Sequence, residues 1–187
     1  MPRARVTTGM DLEYDTFGSP ADPALLLIVG LSAQMTLFEP GFCQMLADGG
    51  RYVIRFDNRD CGLSSKFDDV QVDVEAVILA AFADLPPPPV PYTLSDMAAD
   101  AVALLDHLGI EQAHILGQSM GGMIAQTIAI EHPERAISLV SMMSQPGDVE
   151  VGQPTPEAAA VLFETPPSNR DEYVASSPKW MTWYSRR

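Results

Sequence analysis

A chain of 187 residues with 47% apolar and 19% charged side chains can bury one substantial core, and its composition fits a soluble globular protein. The net charge is −14, and the stretch between Lys66 and Arg135 has eleven Asp and Glu but no Lys or Arg; such a surface repels phosphate backbones and excludes nucleic acid as a partner. No apolar run approaches the ~20 residues of a membrane span, Met1–Asp15 lacks a secretory leader, and two cysteines make no disulfide framework, which predicts a cytoplasmic protein with no membrane partner.

In chain order, Val6–Phe17 alternates loosely and ends at Gly18-Ser19-Pro20, as an opening strand or hairpin does. Ala24–Val29 is a continuous apolar run closed by Gly30, and Tyr52–Phe56 a second short strand ending at Asp57. Ser64–Val90 is acidic, with four prolines at Pro86–Pro89, and reads as a surface excursion with a short helix at Val74–Phe82. Thr93-Leu94-Ser95-Asp96 opens a helix with a hydroxyl and an acid three residues on, and the helix stops at Gly109. A third strand, Ala113–Leu116, closes at Gly117. Met120–Glu131 is a helix apolar almost all round, predicted to be buried, and Ala136–Met142 is a fourth strand.

Strands without polar alternation, separated by helices, indicate an α/β fold whose mostly parallel sheet is flanked by helices. From Pro146 the chain turns to Gly, Pro, Glu and Ser with scattered aromatics. Residues 1–145 are therefore expected to form the α/β core and 146–187 a different region.

Gly117-Gln118-Ser119-Met120-Gly121 matches G-x-S-x-G between a predicted strand and a predicted helix. A turn this sharp strains the serine backbone and leaves no room for side chains two residues before or after it. The serine hydroxyl projects above the sheet, and the following helix aims its first amides at developing negative charge. Ser119 is the candidate nucleophile.

With these residues the sequence resembles the α/β-hydrolase fold family, and within it the esterases typified by aclacinomycin methylesterase. The resemblance covers most of residues 11–145 and rests on Phe17–Leu27, Leu46–Gly50, Asp57–Ser64 and Gly117–Gly122. It implies an oxyanion hole made by the amide of Met120 and by an amide from the loop after Ala24–Val29. There Val29-Gly30-Leu31 replaces the family's His-Gly pair and its donor, so Leu31 is the candidate. Asp57–Ser64 carries Asp60 where the family often has glycine; Asp57 and Arg59 are expected in an ion pair or turn, and Cys61 as a passenger. The resemblance further implies that 146–187 begins a helical cap, with the core truncated after its sixth strand and the chain a fragment.

A serine nucleophile needs a base, and the base an orienting acid. His132 lies beyond a twelve-residue helix, about 18 Å from Ser119 along its axis. His114 is five residues back, roughly 15 Å away, and His107 is on that same far side; none of the three fits. The resemblance places the acid after Ser119: in some relatives it follows the sixth strand, which makes Asp148 the candidate here, and in most it follows a seventh strand that this chain lacks. No cofactor or metal is implied, since no ligand cluster or phosphate loop is present.

The expected reaction is hydrolysis of a small, largely apolar ester through an acyl-serine intermediate, in a longer chain that supplies acid and His. The alternatives are cofactor-free perhydrolase or lactonase chemistry, or a non-catalytic binding or interaction protein on the same scaffold. Ala136–Met142 is expected to form an open apolar sheet edge through which the chain self-associates.

Overall fold

The first alternation folds as a hairpin in which β1 (Arg3–Arg5) pairs antiparallel with β2 (Asp11–Phe17), Ala4 facing Leu12. β1 starts earlier than the alternation suggests, because Val6 sits at the hairpin mouth, its N–H donating to Met10 O at 2.9 Å. The computed structural model describes residues 1–73, 76–77, 79–80, 85–86, 88–148, 151–152, 155–162, 167 and 169–176.

The apolar runs become β3 (Ala24–Ile28), β4 (Tyr52–Phe56), β5 (Ala113–Gln118) and β6 (Ala136–Met142). The sheet order is β1-β2-β4-β3-β5-β6, with β4, β3, β5 and β6 parallel and β2 antiparallel to β4. β3 lies at the centre and feeds both faces. Leu26 and Ile28 join the larger core with Ile54, Phe56, Leu104, Leu105 and Ile124. Leu27 and Val29 join Phe38, Cys43, Ala47 and Val53 on the other face. An uninterrupted apolar run is thus a period-two strand covered twice, each buried side chain contributing about 1.5–3 kcal/mol.

Among the described residues, three helices cover the sheet. α1 (Pro40–Asp48) was not legible from the sequence pattern; it starts with proline at its first position and buries only Cys43 and Ala47. α2 (Leu94–His107) has the capping box read from Thr93 and Asp96, with both reciprocal hydrogen bonds formed, and is capped by Leu108 ahead of Gly109. α3 spans Met120–Glu131 as expected. It is not buried all round: Gly121, Gly122, Ile124, Ala125 and Ile128 are buried, but Ile130 is 77% exposed. α2, β5 and β6 pack against α3, and Ile130 faces away from the covered side.

β6 is an edge strand, and among the described residues β5 is the only strand that pairs with it. Ile137, Leu139 and Val140 on it are 50%, 40% and 45% exposed.

The chain divides into two compact units, Met1–Gly147 and Asp148–Arg187. The second contains α4 (Pro156–Leu162) and a helical stretch at 170–176. In the predicted helix Val74–Phe82, the described residues Ala76, Val77, Leu79 and Ala80 are helical, and the rest lies outside the described residues. Among the described residues no helix is long and apolar enough to cross a membrane.

Candidate active site

β5 ends at Gln118 and α3 begins at Met120, so the whole reversal falls on Ser119. Its backbone sits at φ 57°, ψ −125°, a sparsely populated conformation that costs on the order of 1–3 kcal/mol and must be held by its surroundings. Three hydrogen bonds hold it. The Ser119 N–H donates to Met142 O at 2.8 Å, at the end of β6, and Ser119 O accepts from the Gly122 and Met123 N–H groups at 2.8 and 3.3 Å. The two flanking glycines are demanded by space: a Cβ on Gly117 would lie 2.0 Å from Gly121 O, and one on Gly121 would lie 2.1 Å from Ile28 O. Ser119 is half-buried, at the mouth of the turn.

The two residues expected to supply oxyanion amides are Met120 and Leu31. Met120 is the first residue of α3, and its N–H donates no hydrogen bond among the described residues. Across from it the chain leaving β3 runs against the serine: a Cβ on Gly30 would sit 2.9 Å from Ser119 Cβ and 3.3 Å from its Oγ. Leu31 follows, with its side chain 69% exposed and its N–H likewise unengaged among the described residues. Gly30 O accepts from the Ala33 N–H at 3.3 Å, closing a turn whose third residue, Ser32, has φ 57°. The structure therefore brings Gly30 against Ser119, which itself leads directly into α3. Beside them is an open depression lined by Ser32, Ala33, Gln34, Thr36, Leu37 and Glu39.

Asp57 and Arg59 take the structural roles expected of them. Asp57 is buried, with Oδ1 accepting from Met35 N–H at 2.8 Å and Oδ2 from Leu63 N–H at 2.9 Å. Arg59 donates through Nε and Nη2 to the two carboxylate oxygens of Asp100, at 2.7 and 2.8 Å, and its guanidinium lies over Phe67 and Tyr92. Burial alone would lower the Arg59 pKa, but the hydrogen bond and charge of Asp100 reverse this and raise it. Burial pushes the Tyr92 hydroxyl up to about 12, helped by its hydrogen bond to Asp60.

Asp60 occupies the family's glycine position with φ 64° and holds it by accepting from Phe67 N–H at 2.7 Å; aspartate tolerates this backbone region better than most residues. Cys61 is no passenger, since its thiol donates to Ala33 O at 2.8 Å. Burial, then the nearby Asp57 charge, raises its pKa.

The histidines sit elsewhere. His107 ends α2 against the edge of Tyr14, His132 caps the far end of α3, and His114 pairs its Nδ1 with Ser138 Oγ at 2.8 Å. Asp148 belongs to the second unit, not to the one that holds Ser119. Sequence reasoning passed over Asn58, whose side-chain amide donates to Val29 O at 3.0 Å; nothing in the residue type or spacing marks that reach across the sheet.

The sequence profile of the α/β-hydrolase fold matches residues 23–182. The chain belongs to the α/β-hydrolase fold family. It is similar to rhodomycin D methylesterase DauP of Streptomyces sp. (strain C5), 34% identical over 151 residues, which are 80% of this chain and 45% of that protein. Among solved structures it resembles the enol-lactonase from Burkholderia xenovorans LB400, with a TM-score of 0.60 and 25% identity over 76% of this chain and 46% of that one. A hydrolase from Pseudomonas aeruginosa PA01 shares the fold, with a TM-score of 0.65 and 24% identity, covering 99% of this chain and 62% of the other. The matched stretch spans less than half the length of that methylesterase.

Proposed function

We propose that this chain carries the nucleophile half of a serine hydrolase that cleaves a carboxylic ester of a small, largely apolar molecule. The observation that carries this reading is Ser119 on its strained turn, packed against Gly30, with the N–H groups of the following Met120 and of Leu31, next to Gly30, unengaged among the described residues. Ser119 Oγ attacks the ester carbonyl and passes its proton to a base. The two amides take the negative charge of the tetrahedral intermediate, and the alcohol leaves to give the acyl-serine. Water then attacks that ester, releases the acid and restores the hydroxyl.

The relatives named above support ester chemistry, one being a methylesterase and another an enol-lactonase, whose substrate is a cyclic ester. Exposed Leu31 and Leu37 beside the site suit an apolar substrate. The base and acid come, on this reading, from residues beyond this sequence, residues 146–187 begin a cap, and the 187-residue chain alone has no appreciable turnover. The unpaired cysteines Cys43 and Cys61 fit a reducing cytoplasm.

One observation favours a second reading, a non-catalytic binding protein on the same scaffold: none of the three histidines is placed at Ser119. Against it, a retired site has no reason to keep a strained turn. Turnover of a p-nitrophenyl butyrate-type ester by a longer form, and its loss in Ser119→Ala, decides between them. Loss of about 10⁶-fold is expected where a nucleophile is removed; activity within tenfold of wild type would refute Ser119 as the nucleophile.

A further inference from the structure

The turn after β4 reaches across the sheet and holds the loop after β3 at three points. Asn58 Nδ2 donates to Val29 O at 3.0 Å, Cys61 Sγ donates to Ala33 O at 2.8 Å, and Asp57 Oδ1 accepts from Met35 N–H at 2.8 Å. The loop between these points contains Gly30, Leu31 and Ser32. Asn58 is 3% exposed and Asp57 3%, so solvent does not compete for the bonds that these two make.

The geometry points to Asn58 as a positioning residue that sets the direction of the Leu31 amide. This inference rests on the reading of Ser119 as the nucleophile. The Val29–Gly30 peptide plane is fixed by Asn58, through Val29 O. The next plane carries Gly30 O and the Leu31 N–H, which point in opposite directions in a trans peptide. Gly30 O is occupied by the Ala33 N–H at 3.3 Å, so the Leu31 N–H is turned away from that bond. Gly30 has no side chain to restrict its dihedrals, so the orientation of one plane relative to the next depends on the anchors on either side. Asn58 supplies the anchor before the glycine, and Cys61 and Asp57 the anchors after it.

A purely structural side chain at position 58 would matter for stability alone. A positioning side chain matters for the transition state: an oxyanion donor that is removed costs about 10²–10³ in kcat, and one turned out of line loses a part of that without weakening ground-state binding.

The test compares wild type, Asn58→Asp and Ser119→Ala. Aspartate keeps the shape of Asn58 but has no N–H to donate and repels Val29 O. In the 187-residue chain, amide-resolved NMR should show shifted Leu31 and Ser32 resonances and at least about tenfold faster hydrogen exchange at Ala33. The resonances of α2 should stay in place. In a form that turns over a p-nitrophenyl ester, Asn58→Asp should lower kcat by roughly 10–100-fold with KM within about threefold.

If Asn58→Asp does not fold, Asn58→Ser, too short to reach Val29 O, is read instead. Unmoved Leu31 and Ala33 signals, or a kcat loss no larger than the loss of folded protein, overturn the inference. Persistent turnover in Ser119→Ala would instead sink the hydrolase reading, and the NMR arm would still report on Asn58.

Discussion

Gly30 and Ser119 are in such close contact that a single methyl group on Gly30 would lie 2.9 Å from Ser119 Cβ and 3.3 Å from its hydroxyl oxygen. The other near neighbour is the backbone oxygen of Gln118 at 3.1 Å, so nothing flexible can step aside. Gly30→Ala should cost about 1–3 kcal/mol, as overpacking does, and should depress reaction at Ser119 far more than it lowers the melting temperature. Thermal unfolding and fluorophosphonate labelling, run side by side, measure the two effects.

Arg59 and Asp100 form a nearly buried ion pair, with Asp100 1% exposed and also accepting from Thr8 Oγ1. Arg59→Met removes the cation and leaves a buried carboxylate with a hydroxyl partner only. The expected loss is about 3–5 kcal/mol, large against the total stability of a domain. Replacing both partners with apolar side chains should recover much of it. Urea denaturation of the single and double variants checks this, and equal losses would contradict it.

The capping box gives a pH dependence whose sign is fixed. The hydrogen bond from the Thr93 hydroxyl, then that from its N–H, holds the Asp96 carboxyl below its ordinary range. A lowered folded pKa adds stability that is present above the unfolded value and is lost as pH falls through the folded one. Thr93→Ala should therefore cost about 1 kcal/mol at neutral pH, and the difference from wild type should shrink below about pH 4. A pH series of melting temperatures tests it; a gap that widens in acid would contradict it.

Much of this was legible because it depends on local rules. Thr93 and Asp96 announce the start of α2 through side-chain reach alone, and Gly117-x-Ser119-x-Gly121 announces the elbow through its spacing. The strands β3, β4 and β5 show as apolar runs because both sheet faces are covered. What escaped is set by tertiary contact. α1 buries two residues and leaves no strong periodic stripe, and Ile130 looks like a core residue until the packing of α2, β5 and β6 shows which side of α3 is covered. Asn58 and Cys61 act on backbone oxygens 29 and 28 positions away in sequence, a relation that only strand order creates.

The apolar edge of β6 bears on behaviour in solution. Its outer side, with no strand partner among the described residues and next to exposed Ile137, Leu139 and Val140, favours pairing with another copy. Leu139→Lys should reduce self-association of the 187-residue chain on size exclusion without lowering its melting temperature appreciably. Wild type eluting as a monomer at all concentrations would remove the basis for this expectation.

On the proposed reading, the fold and not the serine alone makes Ser119 a nucleophile. Its most direct test is fluorophosphonate labelling of the 187-residue chain, folded and in denaturant, with the modified residue located by peptide mass spectrometry. The expected result is a single adduct on Ser119, formed slowly for want of a base but much faster in the folded chain, as it would be if the Met120 and Leu31 amides stabilise the charge developing on the phosphoryl oxygen. Labelling at another residue, or at Ser119 no faster in the folded chain than in the unfolded one, would contradict it.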